Sequence, residues 1–322
     1  VRFHGRAAAG LRHGHRAVVD AEAHGDPALL AQALLSLGEI QVMSDADAPI
    51  ASYRRAIDAA RAAGLPALEA EGWIKLLGAA GVTGQMEPAE DALAALDAVR
   101  ETSLDERQRG HLAFSRGLVH RTHGRLAEAQ TQLDLARRLF AACGARSGEA
   151  RALNLAGDVA RQRGALLEAE RIYREVCRRW SALGHPGVQV AELNLGLVCV
   201  ALGRFAEARE VLEGALAAAL RSQERVVAAF IHGVLIACDA HDHDWASWDG
   251  RWSAMGPLRS GKLADVDAAF AGRLAARIAE EAGESARADA AWQLAITQYE
   301  AVGRLDEATA VRVEWEALRG AF

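Results

Sequence analysis

The feature that most constrains the fold of this chain is an internal repeat. Three segments align without gaps: GLVHRTHGRLAEAQTQLDLA from Gly117, GDVARQRGALLEAERIYREV from Gly157 and GLVCVALGRFAEAREVLEGA from Gly196. Each has glycine at its first and eighth places, alanine at its thirteenth and a large apolar residue at its seventeenth. A period of this kind is typical of supersecondary units that stack and bury their apolar faces against their neighbours.

The residue types at these places predict a unit of two antiparallel helices. The second glycine is suited to end one helix and supply the turn, and it is Gly124, Gly164 or Gly203 in the three segments. A small residue then lets the two helices approach closely, and it is Ala129, Ala169 or Ala208. A large apolar residue one turn later fills the space beside it, and it is Leu133, Tyr173 or Leu212.

The repeat extends beyond these three segments. Its leading glycine recurs at intervals of 37 to 40 residues, as Gly38, Gly78, Gly117, Gly157, Gly196 and Gly233. Hydrophobic residues make up 51% of the chain but aromatic residues only 5%, so the apolar content is mainly Ala and Leu, which favour helix. The β-branched residues form no alternating runs, and we therefore predict an all-α protein.

The segments resemble tetratricopeptide repeats (TPR). The signature of that family is carried by Gly117, Gly124, Ala129, Leu133 and Ala136, and again by Gly157, Gly164, Ala169, Tyr173 and Val176. The resemblance is strongest from about residue 109 to 217 and covers almost the whole chain. It implies a right-handed α-α superhelix, or solenoid, of antiparallel helix pairs with a period of about 37–43 residues.

On this basis we expect residues 1–322 to form a single TPR-type solenoid. Its predicted parts are the second helix of a truncated repeat (1–26), regular repeats (27–239), a degenerate, kinked repeat (240–263), a last repeat (264–303) and a capping helix (304–322). Because the chain begins at Val1 inside a helical pattern, we expect it to be a fragment of a longer protein.

The segment HDHDWASWDGRW, residues 241–252, departs from the repeat. Aligned with the preceding unit, Trp248 takes the place of Ala208 at the close helix contact, and three extra residues before Trp245 predict a longer turn. Asp244 is expected to cap the following helix, which should end early at Gly256–Pro257. The alternative is a metal site at His241 and His243, although one exposed turn supplies few converging ligands.

Other features of the sequence argue against catalysis and cofactor binding. No Ser–His–Asp arrangement or HExxH motif is present, and we expect no catalytic residue, cofactor or metal. Gly256, Gly261 and Lys262 fit a phosphate-loop pattern, but Leu263 stands where that loop needs Ser or Thr. A net charge of −6 argues against a nucleic-acid partner. With no long apolar run and four separately placed cysteines, we expect a cytoplasmic protein that does not contact membranes.

The resemblance also implies a binding groove lined by the first helix of each pair. The positions that face the groove lie three before the leading glycine, one after it, and four and five after it. Transferred to this chain, with one further turn on two helices, they predict a partner-binding groove of His111, Phe114, Leu118, Arg121, Arg151, Asn154, Asp158, Arg161, Gln162, Leu193, Leu197, Phe230, Arg273 and Arg277. The alternatives are that the apolar members pack against neighbouring helices and that the arginines are solvated.

The function predicted from these features is a non-catalytic scaffold that binds a peptide or protein segment in its groove. The C-terminal part resembles the TPR regions of bacterial multidomain serine/threonine protein kinases, which implies a regulatory or substrate-recruiting module of a signalling protein. One alternative is the sensor region of a maltose-regulator-type, ATP-dependent transcriptional activator. Another is self-association through an exposed end of the solenoid.

Overall fold

The computed structural model describes residues 2–42, 48–83, 86–98, 104–185, 187–261, 263 and 265–319. These residues form 17 helices and no strand, and they fall into two compact units, residues 1–164 and 165–322. The first unit contains α1 (Arg2–His24), α2 (Pro27–Val42), α3 (Ala48–Ala62), α4 (Pro66–Thr83), α5 (Met86–Ala98), α6 (Glu106–Thr122), α7 (Leu126–Ala142) and α8 (Arg146–Gln162).

The second unit contains nine helices within the residues that the structure describes. They are α9 (Leu166–Ala182), α10 (Val188–Ala201), α11 (Phe205–Ser222), α12 (Arg225–His241), α13 (Trp245–Ala254), α14 (Gly256–Arg259), α15 (Val266–Glu281), α16 (Ser285–Ala301) and α17 (Leu305–Arg319). Some residues of the predicted features lie outside the described residues. They are Val1 at the predicted truncated end, Lys262 of the phosphate-loop pattern and residues 320–322 of the predicted cap.

Each unit is a stack of antiparallel helix pairs. In the first unit α2 packs on α3, α4 on α5 and α6 on α7, while α2, α4, α6 and α8 also contact one another in that order. In the second unit α10 packs on α11, α12 on α13 and α15 on α16, and α12 contacts both α10 and α15. The first helices of successive pairs therefore lie side by side in each unit, and the predicted all-α, TPR-like fold is confirmed.

The residues of the repeat have the predicted roles in helix packing. Ala208 and Leu212 of α11 are fully buried, as are Ala129 and Leu133 of α7. A Cβ added to Gly196 of α10 would lie 2.4 Å from Cγ of Leu212, so only glycine permits this approach of the two helices. The close contact between paired helices thus depends on glycine, alanine and leucine at fixed spacing.

The predicted longer turn before Trp245 is wrong. The α12–α13 turn spans residues 242–244, the same length as the α10–α11 turn at 202–204. The three additional residues lie inside α12, because Gly233 is not equivalent to the leading glycine of the other repeats. Like α6 and α8, α12 has 17 residues, and the place of their leading glycine is occupied by the buried Ile236.

The helix after this turn begins as predicted and is interrupted early. The Asp244 side chain accepts a hydrogen bond from the Ser247 amide (3.1 Å), which confirms the predicted cap. Trp248 is 1% exposed, so the indole at the alanine place lies in the core. α13 ends at Ala254, and Pro257 lies in the first turn of the separate helix α14. The break falls at Met255, directly before the predicted position.

A histidine replaces the turn glycine between α12 and α13, and this predicts a stability change. His243 has φ of 54°, in the left-handed region where Gly203 of the equivalent turn has φ of 72°. A side chain raises the energy of this backbone conformation. We expect His243→Gly to raise the free energy of unfolding by about 0.5–1 kcal/mol and Gly203→Ala to lower it by about 1 kcal/mol. Urea unfolding measures both changes in the free energy of unfolding. Changes of the same sign would contradict the assignment of His243 to the left-handed turn position.

Candidate functional site

A cavity of about 520 Å³ lies in the first unit among α2, α4, α6 and α8. Four predicted groove residues line it: His111, Phe114, Leu118 and Arg151. Further lining residues come from the same helices, the start of α6 and the core tyrosine of α3; they include Glu39, Val42, Tyr53, Glu71, Ile74, Lys75, Ala79, Asp105, Arg107, Gln108 and Ser115. First helices of successive pairs therefore bring distant parts of the sequence to one concave surface.

Arg151 of α8 supplies a cation at this cavity. Its guanidinium carbon lies 4.9 Å from the centroid of the Phe114 ring on α6, an arrangement that holds the charge over an aromatic face. Among the described residues no carboxylate forms an ion pair with Arg151. The residue as a whole is exposed, whereas its guanidinium lies deep enough at the cavity that burial lowers the pKa of Arg151. Its hydrogen-bond donors therefore face an anionic group of a partner from a partly desolvated position.

The other charged groups of the cavity differ in whether they have a partner of opposite charge within the chain. Lys75 forms an ion pair with Glu39 and lies 3.5 Å from a carboxylate oxygen of Glu71, so its charge is neutralised within the chain. Asp105 caps α6, because its side chain accepts a 2.7 Å hydrogen bond from the Gln108 amide. Arg107 has no ion-pair partner among the described residues. Within the part of the chain that the structure describes, two cations of this cavity, Arg107 and Arg151, thus remain without a carboxylate partner.

His111 lines the same cavity as these cations and carries no charge at neutral pH. Burial lowers its pKa to about 4, and the positive charges of Arg151, Lys75 and Arg107 act in the same direction. The ring packs edge-on against Phe140, with centroids 5.0 Å apart. A neutral imidazole can both donate and accept a hydrogen bond, so His111 is suited to a polar group of a partner.

The remaining predicted residues of the first unit continue the same helix faces. Arg121 lies three residues after Leu118, and Asn154 lies three residues after Arg151. The Asn154 Oδ1 and Arg121 Nε atoms have no hydrogen-bond partner among the described residues. Asp158 and Arg161 already interact with other groups of the protein.

Beyond them, Gln162 is exposed at the end of α8. The first unit therefore places its predicted residues on the neighbouring helices α6 and α8, where some side chains are accessible and others are buried or already have partners.

In the second unit the predicted residues are less accessible. Leu197 is 2% exposed and belongs to the core, so it cannot contact a partner. Leu193 and Phe230 are half-buried. Arg273 donates a 2.6 Å hydrogen bond to Glu314 of α17, and Arg277 lies 3.5 Å from the other oxygen of that carboxylate. The alternative of contacts within the chain thus applies to Leu197 and Arg273, and through a longer contact also to Arg277.

The histidines of the HDHD segment take part in contacts within the chain. The His241 ring stacks on Phe205, with centroids 4.2 Å apart, and Nδ1 is 2.9 Å from Oδ1 of Asp242. Asp242 is also bound by Arg209, which lowers its pKa together with His241. No group of three or more candidate metal ligands occurs in the described parts of the chain.

Several cavity residues were not predicted, although the positional rule for groove residues includes them. Applied to Gly38, the rule gives Glu39 and Val42, and applied to Gly78 it gives Lys75 and Ala79; all four line the cavity. The TPR signature is weak in this part of the chain, so the local pattern does not indicate these positions. Tyr53 lies on a second helix and follows from no groove position.

Known proteins resemble this chain in fold and not detectably in sequence. No family model matches the sequence, and no curated protein is detectably similar to it. No helix of the described ranges has the length and apolar character needed to cross a membrane.

Solved structures are similar in fold. A Rap protein complexed with Competence and Sporulation Factor has a TM-score of 0.68 at 13% identity, covering 90% of this chain and 82% of that chain. The apo form of RapI has a TM-score of 0.63 at 12% identity, covering 85% and 99% of the two chains.

A third structure comes from Pyrococcus horikoshii. It is a signal transduction ATPase with numerous domains (STAND) that has a tetratricopeptide repeat sensor. Its TM-score is 0.63 at 16% identity, and the match covers 93% of this chain and 45% of that chain. At these identities the likeness shows the fold alone, and that fold is a TPR-like helical repeat.

Proposed function

We propose that this chain is a non-catalytic scaffold that binds an acidic peptide segment along α6 and α8 of its first unit. The observation that carries the proposal is the Arg151 guanidinium, stacked on Phe114 at the cavity and without a carboxylate partner among the described residues. Arg107 adds a second open cation. A carboxylate on a peptide would form a charge-assisted, bidentate contact with Arg151.

The cavity provides complementary contacts for the rest of such a peptide. Phe114 offers apolar surface, and the partly buried His111 offers a neutral polar group for main-chain amides. Rap proteins share the fold, and one of them is complexed with Competence and Sporulation Factor, which supports a binding role for this architecture.

The larger setting that we propose is a regulatory or substrate-recruiting module of a signalling protein such as a serine/threonine kinase. A second candidate is a ligand-sensing repeat domain of an ATP-dependent regulator. The likeness to the tetratricopeptide repeat sensor of a STAND protein supports this candidate. Self-association through an end of a helix stack is a third arrangement, and sedimentation across a concentration series tests it.

The peptide site is tested by replacing Arg151. Fluorescence anisotropy would measure binding of short labelled peptides from an acidic and an uncharged pool. We expect the acidic pool to bind more tightly and Arg151→Gln to weaken that binding about tenfold to a hundredfold, because a hydrogen bond to a charged group is lost.

The matched control for this experiment is Arg138→Gln. Arg138 is an exposed arginine of α7 in the same unit and does not line the cavity. Its replacement should leave peptide binding unchanged. If the two variants weakened binding equally, or if neither pool bound the wild-type chain, the proposed site would be wrong.

A further inference from the structure

The second unit contains its own cavity, of about 690 Å³, among residues of α10, α11, α12 and α15. This volume lies within the range of pockets that hold small ligands. Its large apolar lining residues are Val200, Phe205, Phe270, Leu274 and Ile278. Four of these side chains, all except the buried Val200, remain partly exposed, so apolar surface is available to a ligand.

The lining of this cavity also includes a positive and a negative group on α15. Arg277 and Glu281 lie one helical turn apart and both line the cavity. Glu314 is bound mainly by Arg273, through a 2.6 Å hydrogen bond, and lies 3.5 Å from Arg277. Glu281 has no hydrogen-bond or ion-pair partner among the described residues. A cation and a carboxylate therefore face the same space without pairing with each other.

His241 also lines this cavity, and its ring is held by a neighbouring carboxylate. Its Nδ1 lies 2.9 Å from a carboxylate oxygen of Asp242, which can only accept when ionised, so Nδ1 carries the proton. Arg209 also binds Asp242 and favours the ionised form. Asp242 thus holds the His241 ring, and the charged groups of the cavity lining that can contact a ligand are Arg277 and Glu281.

We propose that this cavity binds a small apolar zwitterion, an apolar amino acid or dipeptide with free amino and carboxyl groups. The carboxylate would pair with Arg277, and the ammonium would donate to Glu281. The apolar side chain would lie against Phe205, Phe270 and Leu274. A purely anionic amphiphile fits less well, because Glu281 would repel its head group.

Isothermal titration calorimetry with the full chain tests this ligand class. The probes are L-phenylalanine and L-leucyl-L-leucine, compared with N-acetyl-L-phenylalanine and L-phenylalaninamide. We expect at least one zwitterion to bind and each blocked derivative to bind about tenfold more weakly or worse, because each loses one charge-assisted contact. The relative affinities of the amino acid and the dipeptide show which of these two zwitterions the cavity prefers.

Variants assign the two ends of the ligand. Arg277→Gln should remove the preference for a free carboxyl group, and Glu281→Gln should remove the preference for a free amino group. Arg171→Gln and Glu210→Gln change exposed residues of the same unit outside the cavity and should leave affinity unchanged. Arg151→Gln should also leave it unchanged, because this site does not depend on the peptide site of the first unit.

The proposal is overturned if no zwitterion binds, or if the blocked derivatives bind as tightly as the free ones. Binding that survives both Arg277→Gln and Glu281→Gln with its preferences intact would also overturn it. Melting temperatures equal to that of the wild-type chain would show that a loss of binding does not arise from unfolding.

Discussion

Replacing Asp239 with alanine should cost the second unit about 3–5 kcal/mol of stability. Asp239 lies near the end of α12, and its side chain is 0% exposed. Arg209 Nη1 donates to Oδ1 at 2.8 Å, and Arg251 Nε donates to Oδ2 at 2.7 Å. Removal of the carboxylate leaves two half-buried guanidinium groups without the anion between them, and that desolvated charge is the source of the expected loss.

The two arginines continue the network outward and bring three helices together. Arg209 of α11 also binds Asp242, and Arg251 of α13 also binds Glu213. Burial raises the pKa of Asp239, while hydrogen bonds from both arginines oppose that shift. The network therefore fixes α13, whose Trp248 replaces the alanine of the other repeats, against α11 and α12.

Fluorine NMR of 5-fluorotryptophan-labelled protein during urea unfolding measures this effect in each unit separately. Trp73 is the only tryptophan of residues 1–164, and the other six lie in the second unit. The signals of the second unit should move to lower urea in Asp239→Ala, and the Trp73 signal should not. The control is Asp249→Ala, which removes a 61% exposed partner of Arg287 and should cost about 0–1 kcal/mol.

Equal losses in the two variants would contradict a special role for Asp239. The triple replacement Asp239→Leu, Arg209→Met and Arg251→Met provides a further check. It removes the charges together, and we expect it to recover most of the stability lost in Asp239→Ala.

The fold could be predicted from the sequence because its signals are local. Glycine at the turn, alanine at the close contact and a large apolar residue one turn later each act within one helix pair. The prediction of a longer turn was wrong at residues 233–245, because it took Gly233 as the leading glycine of its repeat. The structure identifies Ile236 as the equivalent residue, and it shows that a histidine can occupy the left-handed turn position.

The cavity of the first unit could be predicted only in part. Positions on first helices follow from helical periodicity, and four such residues, His111, Phe114, Leu118 and Arg151, lie together at it. The availability of a side chain depends on partners distant in sequence. Arg273, for instance, binds Glu314, 41 residues later, and no local pattern indicates that contact.

The buried ion-pair network was not predicted for the same reason. Asp239 is 30 residues from Arg209 and 12 from Arg251. A lone acidic residue in the apolar stretch GVLIACDAH is the only local signal for it. Such a residue indicates a buried partner without identifying it.

The stability of the first unit should fall by up to about 3 kcal/mol as the pH is lowered from 6.5 to 4. His111 has an ordinary pKa of 6.5 when unfolded, and burial beside Arg151, Lys75 and Arg107 lowers it to about 4 in the folded chain. Between these values the unfolded state binds more protons than the folded state, so stability rises with pH. The contribution is fully present above pH 6.5 and is lost as the pH falls towards 4.

Urea unfolding followed by the Trp73 fluorine signal at several pH values between 7 and 4 measures this dependence. In His111→Gln the side chain cannot be protonated, so the difference in stability between variant and wild type should diminish across this window by the amount that His111 contributes. His120 also has a lowered pKa, caused mainly by burial, and its share of the slope remains in the variant. His13→Gln, at an exposed position of α1, should reproduce the wild-type profile. A constant difference between His111→Gln and wild type from pH 7 to 4 would mean that His111 accepts a proton without cost, and the cationic surroundings assigned to the cavity would then be wrong.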